Sequence, residues 1–286
     1  MASTYIARKQ ADSICKPPSY PQLTFRSLRL LACKVAQGQQ NIGGPAKAFT
    51  KGQEGAARQQ LFNKIAPVYD QLNDTLSLGL HRVWKRMTVK WSGAGHGSSV
   101  LDVCCGSGDL AFRLSEAVGS SGQVVGLDFA QDMLDDAARR ESGRYASRSG
   151  VARIQWVQGD AMQLPFADNS FDAATMGYGL RNVSNILKAL SELKRVLKPS
   201  ARVAILDFNN STDPTTDAIQ GWALANVVVP VATSFGLAAE YEYLRPSIQQ
   251  FPTGREQEAL ARQAGFAQAT HYEIGFGLMG CLVATK

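Results

Sequence analysis

The chain has 286 residues, of which 45% are hydrophobic and 19% charged, enough apolar material for a buried core and too much for a disordered polymer. Its net charge of +6 is concentrated at one end: residues 1–45 hold six bases and a single acid, Asp12, whereas the remainder is almost neutral. A basic body that grips nucleic acid is thereby excluded.

In chain order, residues 1–45 come first. They are poor in acids, contain Pro17, Pro18 and Pro21, and have no long apolar run because Arg29 interrupts Leu28 and Leu30. This pattern fits an organelle transit peptide rather than a secretory signal. The Met-Ala-Ser opening favours the chloroplast, with the mitochondrion as the alternative. Residues 46–98 follow as an N-terminal helical lid, in which AARQQLFNKIAPVYD and HRVWKRMTVKW read as helices over the sheet.

From residue 99 to 286, short apolar runs alternate with helical periods. SSVLDVCC, QVVGLDF, ARIQWVQGD, FDAATMGYG and ARVAILDF read as strands. DLAFRLSEAV, AQDMLDDAARR and NILKALSELKRVLK read as the intervening helices, the last ended by Pro199. Such alternation predicts a mostly parallel sheet with helices on both faces. Near the end, Thr253 and Glu256 have capping-box spacing before GREQEALARQAG. ATHYEIG and LMGCLVATK then form a closing antiparallel hairpin.

Residues 214–250 read as an apolar insertion. Within it, 218–239 carry no charge, a length able to span a bilayer of about 20 residues. A true span would place the closing hairpin across the membrane from its sheet, so a buried helix or an apolar lid is the better reading. The five cysteines show no C-x-x-C spacing and the three histidines are scattered, so a disulfide framework is not expected and no metal is assigned.

The strongest chemical signal is Val-Leu-Asp102-Val-Cys-Cys-Gly106-Ser107-Gly108-Asp109. A strand feeds a glycine turn and then a helix, whose first N–H groups are free to meet a ligand. Asp128 closes the next strand at the spacing of an acid that accepts from both ribose hydroxyls. Two ligand classes fit. Gly106-Ser-Gly108-Asp-Leu-Ala111 satisfies the permissive dinucleotide pattern of a nicotinamide-dependent oxidoreductase. The carboxylate of Asp102 inside the incoming strand opposes a pyrophosphate and suits a cation, which favours S-adenosylmethionine. Asp160, followed by Ala161, ends the third strand, where it serves either an adenine amino group or its own turn.

VLDVCCGSGD, VVGLDFAQDML, VQGDAMQLPFADNSFD and GYGLRNV together resemble a class I S-adenosylmethionine-dependent methyltransferase. LFNKIAPVYDQLNDTLSLGLHRVWKR, YGLRNVSNILKALSELKRVLKP and EYEYLRPSIQQFPTGREQEALARQAGF narrow the resemblance to the UbiE/MenG-type quinone C-methyltransferases, over roughly residues 60–286. Two departures stand out: Ser200-Ala201 replaces the usual glycine turn after LKP, and Cys104-Cys105 occupy a loop where small residues are common.

The resemblance implies a Rossmann-like α/β fold with a seven-stranded sheet. Asp102, Gly106, Ser107 and Gly108 would lie against the methionine moiety and Asp128 on the ribose. Phe129 and Met133 would pack near the adenine, with Asp160 and Ala161 at its edge and Gly177 and Tyr178 beside the reacting methyl. Arg181, Asn182 and Tyr69 would carry the polar work of catalysis. The implied reaction methylates a ring carbon of a reduced prenylated quinone, demethylphylloquinol first and a ubiquinone precursor as the alternative. An inert cofactor-binding scaffold subunit is the reading from another class. Implied partners are a prenylated naphthoquinol and a peripheral membrane contact, with a homodimer or biosynthetic complex also open and no nucleic acid.

Overall fold

The structure, a computed structural model, describes residues 80–144, 149–234 and 244–286, all inside the unit Ala46–Lys286. The address segment 1–45, the first lid helix with Tyr69, and residues 235–239 of the uncharged run lie outside the described residues.

Seven strands form one sheet: β1 (Ser99–Val103), β2 (Gln123–Asp128), β3 (Ile154–Gln158), β4 (Phe171–Gly177), β5 (Leu197–Phe208), β6 (Gln268–Ile274) and β7 (Met279–Thr285). Their order is β3-β2-β1-β4-β5-β7-β6. The first five run parallel, and β7 is antiparallel to both β5 and β6, as the hairpin reading required. The order reverses at β1, and ligands of such sheets gather at the carboxyl edge beside that switch.

Successive side chains of a strand face opposite sides, so a strand buried on both faces must be apolar throughout. Leu101, Val103, Ala174, Met176, Val203 and Ile205 pack into one layer with helix α4 (Ile186–Val196). Val100, Val124 and Ala173 pack into the opposite layer with helix α2 (Asp109–Val118). Helix α1 (Leu80–Ser92) lies on that second side and buries Val89 in the same layer. Helix α3 (Gln131–Arg144) completes the βα units.

Two boundaries differ from the sequence reading. The fourth helix stops at Val196, not at Lys198, and β5 begins at Leu197. The ring of Pro199 disfavours helical backbone at the residue before it, which moves Leu197-Lys198 into the strand. Ser200 then takes φ +65°, so a serine performs the left-handed turn expected of glycine.

Within its described part, 218–234, the uncharged run is not a buried α-helix. Helix α5 (Pro214–Ala223) passes into a π turn, Leu224–Val228, and then helix α6 (Val229–Ser234). Pro230 has no N–H to continue the ladder, and the Val229 N–H reaches back to Leu224 O. Ile219 and Trp222 stay exposed. No helix among the described residues is long and apolar enough to cross a membrane.

Helix α7 (Leu244–Gln250) leads to helix α8 (Gly254–Gln263). There Glu256 accepts from both the N–H and the hydroxyl of Thr253 at 2.8 Å, and the anticipated capping box is formed.

Candidate active site

The glycine turn is built by backbone conformations that few residues accept. Cys104 (φ +54°), Gly106 (+52°) and Gly108 (+89°) are all left-handed. The turn closes through Cys105 N–H to Leu127 O at 3.0 Å and Gly108 N–H to Cys105 O at 2.9 Å. A Cβ on Gly108 would meet the Trp156 ring at 2.7 Å, so the position needs both the torsion and the space. Gly108→Ala is therefore expected to destabilise the fold by about 2 kcal/mol or more, from the left-handed penalty of ~1–2 kcal/mol plus the clash. Thermal unfolding of the purified variant measures this, and an unchanged midpoint would contradict it.

Cation pairs brace the turn from outside. Arg140 of α3 donates to Ser107 O at 2.6 Å and to Asp109 at 2.9 Å. Lys85 of α1, itself buried, donates to Asp109 at 2.5 Å. Asp109 is largely buried, yet Lys85 and Arg140 hold its carboxyl well below the usual range. Sequence reasoning passed over Lys85 and Arg140, because their pairing links segments far apart in the chain.

Two acids occupy the crevice. Asp128 is buried, with one oxygen accepting from Gly106 N–H at 2.8 Å and the other from Ala130 N–H at 3.0 Å. Burial raises its pKa although the backbone donors oppose the shift. Asp102 is fully buried opposite Thr175 of the neighbouring strand. Its Oδ1 accepts from the Thr175 hydroxyl at 2.7 Å, while its Oδ2 has no partner. Burial pushes its carboxyl pKa up to about 7. The thiols of Cys104 and Cys105 are likewise pushed up by burial, and Cys104, Cys105 and Cys281 are free.

Of the residues expected near an adenine, Met133 is buried with its Cε 3.1 Å from where a Cβ on Gly106 would sit. Phe129 is half-buried. Ala161 belongs to the core, and Asp160 is exposed with Oδ1 on the N–H of Met162 at 2.8 Å. Asp160 thus acts at least as the turn former.

The opposite wall comes from the ends of β4 and β5. Gly177 abuts Leu110, where a Cβ would come within 2.8 Å. Tyr178 adopts φ +59°, donates its N–H to Leu206 O at 2.7 Å and packs its ring on Phe208 at 5.8 Å. Burial, with the charge of Asp207, raises its phenol pKa. A Cβ on Gly179 would lie 2.5 Å from Cys104 Cβ, so the two loops touch.

Arg181 and Asn182 both donate to Tyr178 O, at 3.1 and 2.9 Å. Arg181 also pairs with Asp207 at 3.3 Å, with both side chains nearly inaccessible, and lies 5.2 Å from the Phe208 ring centre. Asp207 accepts in addition from the N–H of Arg181 and of Phe208. Burial raises its pKa against the pull of Arg181. The cap of α4 is Asn185, which accepts from Lys188 N–H at 3.0 Å, so Asn182 is left to the Tyr178 loop. Asp207 and Thr175 were missed in the sequence reading. Asp207 had a legible signal, since like Asp128 it is an acid at the carboxyl end of a parallel strand. Among the described residues, no group of three or more His, Cys, Asp or Glu is placed to hold a metal ion.

An order-reversing parallel sheet, a left-handed glycine turn and acids along its carboxyl edge define a Rossmann-like fold of the class I methyltransferase type. The chain shares this fold with solved proteins such as a structure from Methanococcus maripaludis described as a putative S-adenosylmethionine-dependent methyltransferase, at TM-score 0.58 and 19% identity over 85% of this chain and 97% of that one.

Residues 50–286 match the ubiE/COQ5 methyltransferase family, and the chain belongs to that family. A relative from Arabidopsis thaliana named 2-phytyl-1,4-beta-naphthoquinone methyltransferase, chloroplastic, is 60% identical over 229 residues, covering 80% of this chain and 87% of its own. A Nostoc punctiforme 2-phytyl-1,4-naphtoquinone methyltransferase is 56% identical over 228 residues, covering 80% and 97%. Family membership sets the nicotinamide-dependent alternative aside.

Proposed function

We propose that the chain transfers a methyl group from S-adenosylmethionine to a ring carbon of reduced 2-phytyl-1,4-naphthoquinone, and does so in the chloroplast. The observation that carries the substrate and the compartment is the 60% identity to the chloroplastic relative of that name. The cyanobacterial relatives point to the same substrate.

The residues present fit the methyl donor. The Oδ2 of Asp102 is a buried acceptor without a hydrogen-bond partner, suited to the positive methionine end. The two oxygens of Asp128 accept from the backbone N–H groups of Gly106 and Ala130, and the carboxylate retains acceptor capacity for a ribose hydroxyl. Gly106, Ser107 and Gly108 allow close approach of the backbone, Phe129 and Met133 flank the adenine side, and Asp160 with Ala161 forms its edge. S-adenosylmethionine supplies an already activated methyl group. The chain's task is then to align acceptor carbon, methyl and sulfur at the Gly177–Tyr178 edge and to keep water out.

The quinol hydroxyl releases its proton to solvent, which raises the nucleophilicity of the ring carbon. That carbon takes the methyl as the sulfur–methyl bond breaks, S-adenosylhomocysteine leaves, and the ring hydrogen departs as a proton to restore the aromatic quinol. Arg181, held in place by its ion pair with Asp207, stabilises the resulting phenolate, and Asn182 fixes the loop that presents it. Tyr69 is assigned to the same pocket from the lid by the family resemblance.

The test is a side-by-side assay with labelled S-adenosylmethionine and the reduced forms of demethylated naphthoquinone and benzoquinone. Label should enter the naphthoquinol as a carbon-bound methyl. Preference for the benzoquinol would overturn the substrate, and labelling of neither would overturn the activity.

A further inference from the structure

We propose that the β6–β7 turn and the helices beside it form a docking face whose occupant is a lipid bilayer. The turn holds three consecutive left-handed residues, Gly275 (φ +58°), Phe276 (+59°) and Gly277 (+81°). That conformation is unfavourable for a bulky side chain, and such outliers persist where the surrounding structure enforces them. Here it projects the Phe276 ring outward with 82% of the residue exposed.

Four large hydrophobic side chains stand exposed among the described residues: Leu80, Ile219, Trp222 and Phe276. All four belong to the elements that meet at this turn. A Cβ on Gly275 would lie 2.9 Å from Trp84 of α1, one helical turn after Leu80. A Cβ on Gly277 would lie 3.2 Å from Thr216 of α5, one turn before Ile219 and two before Trp222. On the α5 side Asp217 is paired with Arg245 at 2.7 Å and residues 218–234 have no ionisable group, while exposed Glu273 beside Gly277 and exposed Arg82 and Arg86 of α1 place charge around the apolar side chains. Exposed aromatic and aliphatic groups on adjoining elements, with charged side chains beside them, suit the boundary of a bilayer.

The face is tied to the candidate site. Asn209, directly after β5, donates to Gly277 O at 2.9 Å, and Gln220 of α5 donates to Asn209 O and Leu278 O at 3.0 Å. Phe208, one residue before Asn209, packs on Tyr178 and Arg181. The choice of a bilayer over another apolar partner rests on the quinol reading above: a phytyl chain partitions into lipid, so its ring must be collected at a membrane surface.

The full-length chain would be mixed with phosphatidylcholine vesicles at about 0.5 M KCl, where charge attraction is screened. Trp222 emission should shift to the blue and be quenched by brominated lipid. Phe276→Ser and the Ile219→Ser/Trp222→Ser pair should each lower vesicle partitioning by about 10-fold. Both variants should turn over a short-tailed, water-soluble demethylnaphthoquinol normally and lose turnover of the phytyl quinol presented in vesicles. Absence of vesicle binding by the parent chain would overturn the inference. So would binding unchanged in the variants, or a dimer in sedimentation that Phe276→Ser dissolves. Vesicle binding without turnover of either quinol would instead overturn the function and leave the docking face standing.

Discussion

Asp102→Asn is expected to weaken S-adenosylmethionine binding by about 30-fold or more, while making the unliganded protein more stable at neutral pH. Asparagine still accepts the Thr175 hydroxyl, so the 2.7 Å hydrogen bond of Oδ1 survives. What disappears is the charge on the unpartnered Oδ2. Removing one partner of a desolvated charge pair costs ~2–5 kcal/mol, and the lower bound is the stated 30-fold. In the unliganded protein the same charge is a liability. Burial raises the Asp102 pKa from 3.8 to about 7, so the native state holds a proton that the unfolded chain has released. Wild-type stability therefore falls as pH rises from about 4 to about 7 and stays lower above that window. The variant lacks this term, and its advantage should grow across the window and level off above pH 7. Donor binding by the wild type should strengthen as pH rises through about 7, with proton release, and the variant should lose that dependence. Calorimetric titrations on either side of pH 7, with thermal melts at the same pH values, measure both effects. Equal affinities would remove Asp102 from the donor site.

Much of this site is legible in the sequence, for reasons that also explain the gaps. Strands β1, β2 and β4 announce themselves because they are buried on both faces, which leaves little room for polar residues. Asp102 and Thr175 interrupt that rule on adjacent strands, and each interruption is the partner of the other. The glycine turn is legible because left-handed torsions select glycine. By the same logic Cys104, Tyr178 and Ser200 are opaque, since residues that ordinarily avoid positive φ hold it through contacts distant in sequence. Arg181 and Asn182 could be singled out, but not their targets, because the shared acceptor is a backbone carbonyl that no side chain reports. Lys85 reads as one more base on an amphipathic helix until the fold sets it against Asp109. The break in the uncharged run follows from Pro230, yet its π geometry depends on where Val229 finds an acceptor.

The Arg181–Asp207 pair permits a test that separates structure from catalysis. Arg181→Met leaves Asp207 buried without its guanidinium, and breaking a buried pair from one side costs ~3–5 kcal/mol. Asp207 already has a pKa raised by burial, so the variant's carboxyl should be protonated over a wider range. The stability loss should accordingly be greater at high pH than at low pH. Asp207→Asn alone strands the cation instead and should also destabilise. The double variant Arg181→Met/Asp207→Asn carries neither charge, so most of the lost stability should return. If the pair is only structural, turnover should return with it. If Arg181 stabilises the quinol's phenolate, kcat should remain ~10²–10³-fold down in the refolded double variant, while the donor's Kd stays near that of the parent. Arg181→Lys keeps the charge but cannot span Tyr178 O and Asp207 with one planar fork, and should fall between these limits. Recovery of both stability and kcat in the double variant would reduce the Arg181–Asp207 pair to a strut behind the Tyr178 loop and move the phenolate-stabilising role elsewhere in the pocket.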